Sequence, residues 1–171
     1  MNEENEKSNK FGNKKFGYKD SITIFFDFLD QIMRNSSVNL NNEQIDTIWG
    51  LFVSEKYTEE ESSLCFSWLS ANSSENTLLF KDNIIEHVFE VKMPSLDVKD
   101  LSINAFELFK KYFIHINVKS NSLRISKESN AEYFEVISLL KGADYLWKIC
   151  LESSGVFDAA VNFLNQIHLN V

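Results

Sequence analysis

The sequence predicts an all-α chain of about seven helices, packed as a compact bundle or as a stretch of α-solenoid, and three observations predict it. Proline occurs once, at Pro94, and glycine only 5 times in 171 residues. That is too seldom for a sandwich or barrel, whose turns recur every few residues. Apolar residues return at three- and four-residue steps over most of the chain, the spacing of one helical face. Hydrophobic residues make up 44%, with 15 Phe and 3 Trp, enough apolar surface to build a core at a length of about one domain.

The first 18 residues, "MNEENEKSNKFGNKKFGY", are polar and rich in Asn, Lys and Gly. They read as a disordered lead-in, with one helical domain over 19–171. The first helix follows in "SITIFFDFLDQIMR", where Ile22, Phe25, Phe26, Leu29, Ile32 and Met33 form a stripe. The second, "NEQIDTIWGLFVS", has Ile45, Ile48, Trp49 and Phe52 on its apolar side and Asn41 or Asn42 as its N-cap. The third opens on Thr58 with Glu61 three residues later, the spacing of a capping box. It carries Leu64, Cys65, Trp68 and Leu69. The fourth, in "TLLFKDNIIEHVFEV", ends before Pro94, whose ring removes a donor and disfavours helical geometry in its predecessor.

The fifth is the clearest helix. Leu101, Ala105, Leu108, Phe109, Tyr112, Phe113 and Ile116 make a wide stripe. After it the helical period lapses. Val118, Leu123 and Ile125 alternate around "KSNS", which predicts a short hairpin or irregular insertion near 118–130. "AEYFEVISLL" reads as a brief helix. Two helices close the chain, one lined by Leu146, Trp147, Cys150 and Leu151, the other by Val156, Ala160, Leu164 and Ile167.

The formal charge is −8, from 17 Lys+Arg against 25 Asp+Glu. No basic face of the kind that grips phosphates shows beyond the N-terminal lysines, so no nucleic-acid partner is expected. No apolar run reaches the ~20 residues that span a bilayer. Cys65 and Cys150 lie far apart within helical apolar patterns, the setting of buried reduced thiols in a cytoplasmic protein. His87, His115 and His168 have no metal-ligand spacing. The carboxylates of "TEEES" (58–62) and "DVKD" (97–100) fall where helices begin, where they complement the helix dipole. Neither a catalytic residue nor a metal or cofactor is assigned to any position.

The closing stretch "GADYLWKICLESSGVFDAAVNFLNQIHLN" carries a resemblance, through Gly142, Asp144, Tyr145, Leu146, Trp147, Ala160, Leu164 and Ile167. It is similar to the large helical region of the fat-facets-type ubiquitin carboxyl-terminal hydrolases. The likeness continues upstream in the same order, through "AFELFKKYFIHINVKSNSL", "LFKDNIIEHVF", "CFSWLS" and "QIDTIW", and spans roughly 20–169. It implies an armadillo- or HEAT-like segment of a cysteine-type deubiquitinase. That family's nucleophile follows an Asn-Gly lead-in and a Thr, which "SSLCF" lacks, and its histidine box has no counterpart here. The resemblance therefore implies a non-catalytic scaffold or protein-interaction segment, with protein partners or neighbouring repeats. A free-standing helical adaptor unrelated to ubiquitin is the alternative. An internal repeat needs no polar cap, since its neighbour covers it. On that ground Phe163, Leu169 and Val171 are expected to form an exposed seam at the C-terminal end, with self-association there.

Overall fold

Ile22, Phe26 and Met33 close one side of helix α1 (Tyr18–Asn35), which begins one residue before the expected boundary. In this computed structural model the described residues are 17–36, 38–55, 58–73, 79–128 and 131–168; the lead-in up to residue 16 lies outside them. Helix α2 (Asn42–Trp49) starts on a full capping box. Asn41 Oδ1 accepts the Gln44 N–H and Gln44 Oε1 accepts the Asn41 N–H, both at 2.9 Å. Its end widens into a π-turn over Gly50–Ser54. Helix α3 (Glu59–Ala71) takes Thr58 as N-cap, as the spacing predicts. The Thr58 hydroxyl, however, meets Glu61 Oε1 at 3.4 Å and makes no bond to the backbone.

Helix α4 (Asp82–His87) is short and also runs into a π-turn, Val88–Lys92, then a 3₁₀ turn at Met93–Ser95 that holds Pro94. Helix α5 (Ile103–Lys119) is capped by Ser102, whose hydroxyl accepts the Ala105 N–H at 3.2 Å. An antiparallel hairpin follows, β1 (Leu123–Glu128) and β2 (Ala131–Val136), in register from Leu123 opposite Val136 to Glu128 opposite Ala131. Helices α6 (Ala143–Glu152) and α7 (Phe157–His168) complete seven α-helices among the described residues.

Two expectations near the hairpin are corrected. Val118 stays inside α5, so the insertion begins later than 118. "AEYFEV" is a strand, not a brief helix. Its residues alternate: Phe134 faces the core at 7% exposure while Tyr133 is exposed, a period of two that fits a strand buried on one face. Arg124 and Glu135, directly opposite in the ladder, form an ion pair at 2.9 Å.

The helices stack in two rows. In the odd row α3 packs against both α1 and α5. Near the starts of α1 and α3, Lys19 pairs with Glu60. Further along, Asp30 Oδ1 accepts Trp68 Nε1–H at 2.7 Å and Asn72 Nδ2–H at 2.9 Å. The two helices therefore run parallel. Helix α5 repeats the relation: Tyr112 donates to the Leu69 carbonyl and Lys111 to that of Ser70. In the even row Asp46 of α2 bonds His87 of α4, and the Tyr145 hydroxyl of α6 donates to the Met93 carbonyl at 2.7 Å. Odd helices begin at residues 18, 59, 103 and 157, intervals of 41, 44 and 54, the hairpin lying inside the last. Even helices begin at 42, 82 and 143, intervals of 40 and 61, with the hairpin inside the long one. Periods near 40 are those of two- and three-helix solenoid repeats.

Between the even helices the backbone comes unusually close. Gly142, the residue before α6, has φ +80°, and a Cβ there would stand 2.5 Å from Cζ of Phe89. Gly142→Ala should lower stability by about 2–4 kcal/mol, from left-handed strain and overpacking together. Gly50→Ala meets nothing within 4 Å, with φ and ψ already helical, and should raise it by about 0.5–1 kcal/mol. Urea unfolding of both variants checks the contrast.

Candidate interaction surface

Both cysteines are inside. Cys65 is 0% exposed, and burial pushes its thiol well above the ordinary range. Cys150 is also buried, and its thiol is likewise raised. A nucleophilic cysteine requires the reverse, an accessible sulfur whose thiolate is favoured. Tyr112, wholly buried, is tied to Ser73 Oγ at 2.7 Å and to the Leu69 carbonyl at 3.2 Å, so its hydroxyl serves to join α5 to α3.

His87 and His115 are structural partners. His87 Nε2–H and Lys92 Nζ both reach Asp46 Oδ1 at 2.6 Å, joining α2 to α4. His115 Nε2–H bonds Asp82 Oδ1 at 3.0 Å and Lys119 bonds Asp82 Oδ2 at 2.9 Å, joining α4 to α5. These pairs span 41 and 33 residues of sequence, which is why spacing alone did not reveal them. Among the described residues no group of three His, Cys, Asp or Glu side chains converges as metal ligands.

Of the expected C-terminal seam, the exposure of Phe163 is corrected. Phe163 is 2% exposed and meets Phe106, Phe113 and Phe134 ring to ring. Helix α7 turns Val156, Ala160, Phe163 and Ile167 inward, and the hairpin closes over Phe163 from the other side. Leu169 and Val171 lie outside the described residues. Other apolar side chains do stand exposed, among them Leu139 and, on α7, Phe157. On α1 they are Ile24, Phe25 and Phe28, and in the π-turn after α2, Leu51. On α6 they are Trp147 and Leu151, the latter 80% exposed, although helical spacing predicted both for the inner stripe. Leu146 and Cys150 lie on that stripe as expected, and Ile149 joins them in place of Trp147 and Leu151.

A cleft of about 660 Å³ opens between the start of α3, the π-turn after α2 and the connection into α5. Its apolar wall is Val53, Phe66, Leu96 and Leu101; Glu59, Asp97 and Asp100 line it as well, and among the described residues no Lys or Arg does. Sequence reading found these carboxylates but took each as a local cap. Asp97 does cap, accepting the Lys99 N–H at 3.0 Å. The fold adds convergence, bringing Glu59 to the same cleft as residues some forty positions later.

Comparison with known proteins bears on the same architecture. The UBP24/USP9X/USP9Y ARM-repeat family matches over residues 1–117. Among curated relatives, ubiquitin carboxyl-terminal hydrolase 24 of Homo sapiens is 23% identical over 140 residues, which is 81% of this chain and 5% of that protein. Ubiquitin carboxyl-terminal hydrolase 9Y of Homo sapiens is 23% identical over 158 residues, 92% of this chain and 6% of the relative. Ubiquitin carboxyl-terminal hydrolase 9X of Mus musculus is 22% identical over 158 residues, with the same shares. The chain thus spans about one-twentieth of the length of these relatives.

The inter-helix ion pairs fix a pH dependence. Burial acts to raise the Asp46 pKa, but the hydrogen bonds from His87 and Lys92 outweigh it and hold the carboxyl below its usual value. Lys119 and His115 hold Asp82 down in the same way. A depressed carboxyl contributes stability above its unfolded pKa and loses it as pH falls through the folded one. Asp46→Asn/Asp82→Asn should therefore be less stable than wild type at pH 7. Its urea midpoint should also fall less steeply than the wild type's below pH about 4.

Proposed function

The chain belongs to the UBP24/USP9X/USP9Y ARM-repeat family, and we propose that it serves as a non-catalytic scaffold and protein-interaction segment of a ubiquitin carboxyl-terminal hydrolase. The observation that carries this reading is the burial of both thiols within a two-row helical stack. In a cysteine hydrolase the nucleophile must be reached by the carbonyl it attacks. Here the only two cysteines of the sequence are packed as small hydrophobes.

The stack supports the interaction role in a second way. In a solenoid each repeat touches chiefly its neighbours and presents its edges to partners. Ile24 and Phe28 on α1, and Trp147 and Leu151 on α6, are half-exposed or more, as side chains against a neighbouring repeat or a bound protein would be. We further propose a cytoplasmic setting, with which two free cysteines and no disulfide among the described residues accord. No described helix is long and apolar enough to cross a membrane.

The test uses the purified chain. It should release no fluorophore from a ubiquitin-based fluorogenic substrate above the buffer rate. A thiol-reactive ubiquitin probe should leave Cys65 and Cys150 unmodified by intact mass. Turnover of the substrate, or labelling of either cysteine in the folded chain, contradicts the scaffold assignment.

A further inference from the structure

We propose that the outward face of α1 pairs with the same face of a second copy of this chain, in an antiparallel two-fold dimer. The inference rests on reading that face as an interaction surface, and it names the occupant. It begins with a helix that is apolar twice over. Ile22, Phe26 and Met33 turn into the core, while Ile24 and Phe28, 53% and 59% exposed, stand one turn apart on another side. At 3.6 residues per turn the two stripes face about 160° away from each other. A helix with one core to cover needs one apolar arc, and a helix that is apolar on opposite sides is covered on both. The outer stripe continues onto a second element. Phe25, beside it, meets Phe52 with ring centroids 5.6 Å apart, and Phe52 lies in the π-turn that also carries the exposed Leu51.

Area and charge select a second copy. With a large apolar side chain counted at about 200 Å², the scale of an aromatic residue, the exposed parts of Ile24, Phe25, Phe28 and Leu51 amount to roughly 400 Å² per copy. Interfaces are about 57–65% apolar, so two copies bury roughly 1,200–1,400 Å² together, the lower part of the range for specific interfaces. The face is also self-complementary. Asp20 in the first turn and Arg34 in the last lie on one flank of it, with the Ile24–Phe28 pair between them. Turned end for end about the middle of that pair, a second α1 brings its Arg34 to within ~3 Å, along the axis, of Asp20 in the first, and the reverse pair forms at the other end. A parallel pairing would set Asp20 against Asp20 and Arg34 against Arg34, and would align the two helix dipoles. One group opposes the antiparallel pair: Asp27, exposed on the same flank and one residue from the middle, meets Asp27 of the second copy. Lys19 is engaged elsewhere, by Glu60.

Sedimentation equilibrium of the full chain from about 1 to 300 µM tests this. The mass should rise from 19.8 kDa and level off at twice that value, with a Kd of about 10–100 µM for an interface of this size. Ile24→Ser/Phe28→Ser should raise the Kd at least tenfold while leaving the thermal midpoint of the dilute protein unchanged, since both side chains are exposed in a single copy. Arg34→Glu should raise it severalfold, and Asp27→Asn should lower it severalfold. A mass that stays at 19.8 kDa throughout would leave the face to a neighbouring repeat or another protein and overturn the proposal. Masses that climb past the dimer, a dimer indifferent to Ile24→Ser/Phe28→Ser, or one that Asp27→Asn fails to tighten or Arg34→Glu fails to weaken would overturn it too. The scaffold role is judged separately. A monomer that the ubiquitin probe leaves unlabelled fails the dimer alone, and a labelled cysteine fails the scaffold role whatever the mass.

Discussion

The aromatic face of α5 is the contact on which the rest of the structure depends. Phe106, Phe109, Tyr112 and Phe113 are each at most 1% exposed, and they reach partners on every side. Phe109 stacks on Phe89 of the even row, with centroids 5.5 Å apart, and meets Tyr145 of α6 edge-on. Phe106 and Phe113 meet Phe163 of α7. Tyr112 joins α3 by two hydrogen bonds. Edge-to-face and offset pairs each add about 0.5–1.5 kcal/mol beyond the area they bury. The helix is thus a shared wall between the two rows. At its end Asn117, wholly buried, donates to the carbonyls of Phe113 and Lys141 and accepts the Lys141 N–H. That clamp fixes the chain just before Gly142 and so sets where α6 meets Phe89.

The helices themselves were legible because each carries its own apolar stripe. Asn41 and Thr58 stand at the boundaries that their spacing predicts, Asn41 with a full capping box. The repeat was not legible. Its period shows in the intervals between helix starts, not in any recurring residue, and the hairpin lengthens two of them, to 54 and 61. What failed locally failed for one reason. "AEYFEV" and Phe163 depend on each other across about thirty residues: β2 places Phe134 against Phe163, and neither stretch contains the other's signal. Without the strand, Phe163 looked like an outward residue on a closing helix. Trp147 and Leu151 were misread in the opposite sense, since spacing shows that a helix has an apolar arc but not where the arc ends.

The surface was less legible still. A carboxylate in a first helical turn has a sufficient local explanation, and the dipole supplies it for Glu59 and Asp100 alike. Only the parallel arrangement of α3 and α5 brings them to one cleft. The same holds for Asp46 with His87 and Asp82 with His115, ordinary residues that the stack turns into ties between consecutive helices. The proposed function rests on the family likeness and the buried thiols together. The likeness names a hydrolase lineage, and the burial of Cys65 and Cys150 gives the physical reason for reading this segment as scaffold.

If α5 is the shared wall, its amides can exchange with solvent only when the whole chain unfolds. Native-state hydrogen exchange across a urea series measures this residue by residue. The amides of Phe106 to Phe113 should show the largest opening free energy, equal to the global value and falling with the full denaturant slope. Those of α1, at the outer edge of its row, should open at lower free energy with a smaller slope. Exchange from α5 as easy as from α1, or with a shallow local slope, would contradict the account and assign the wall to another element.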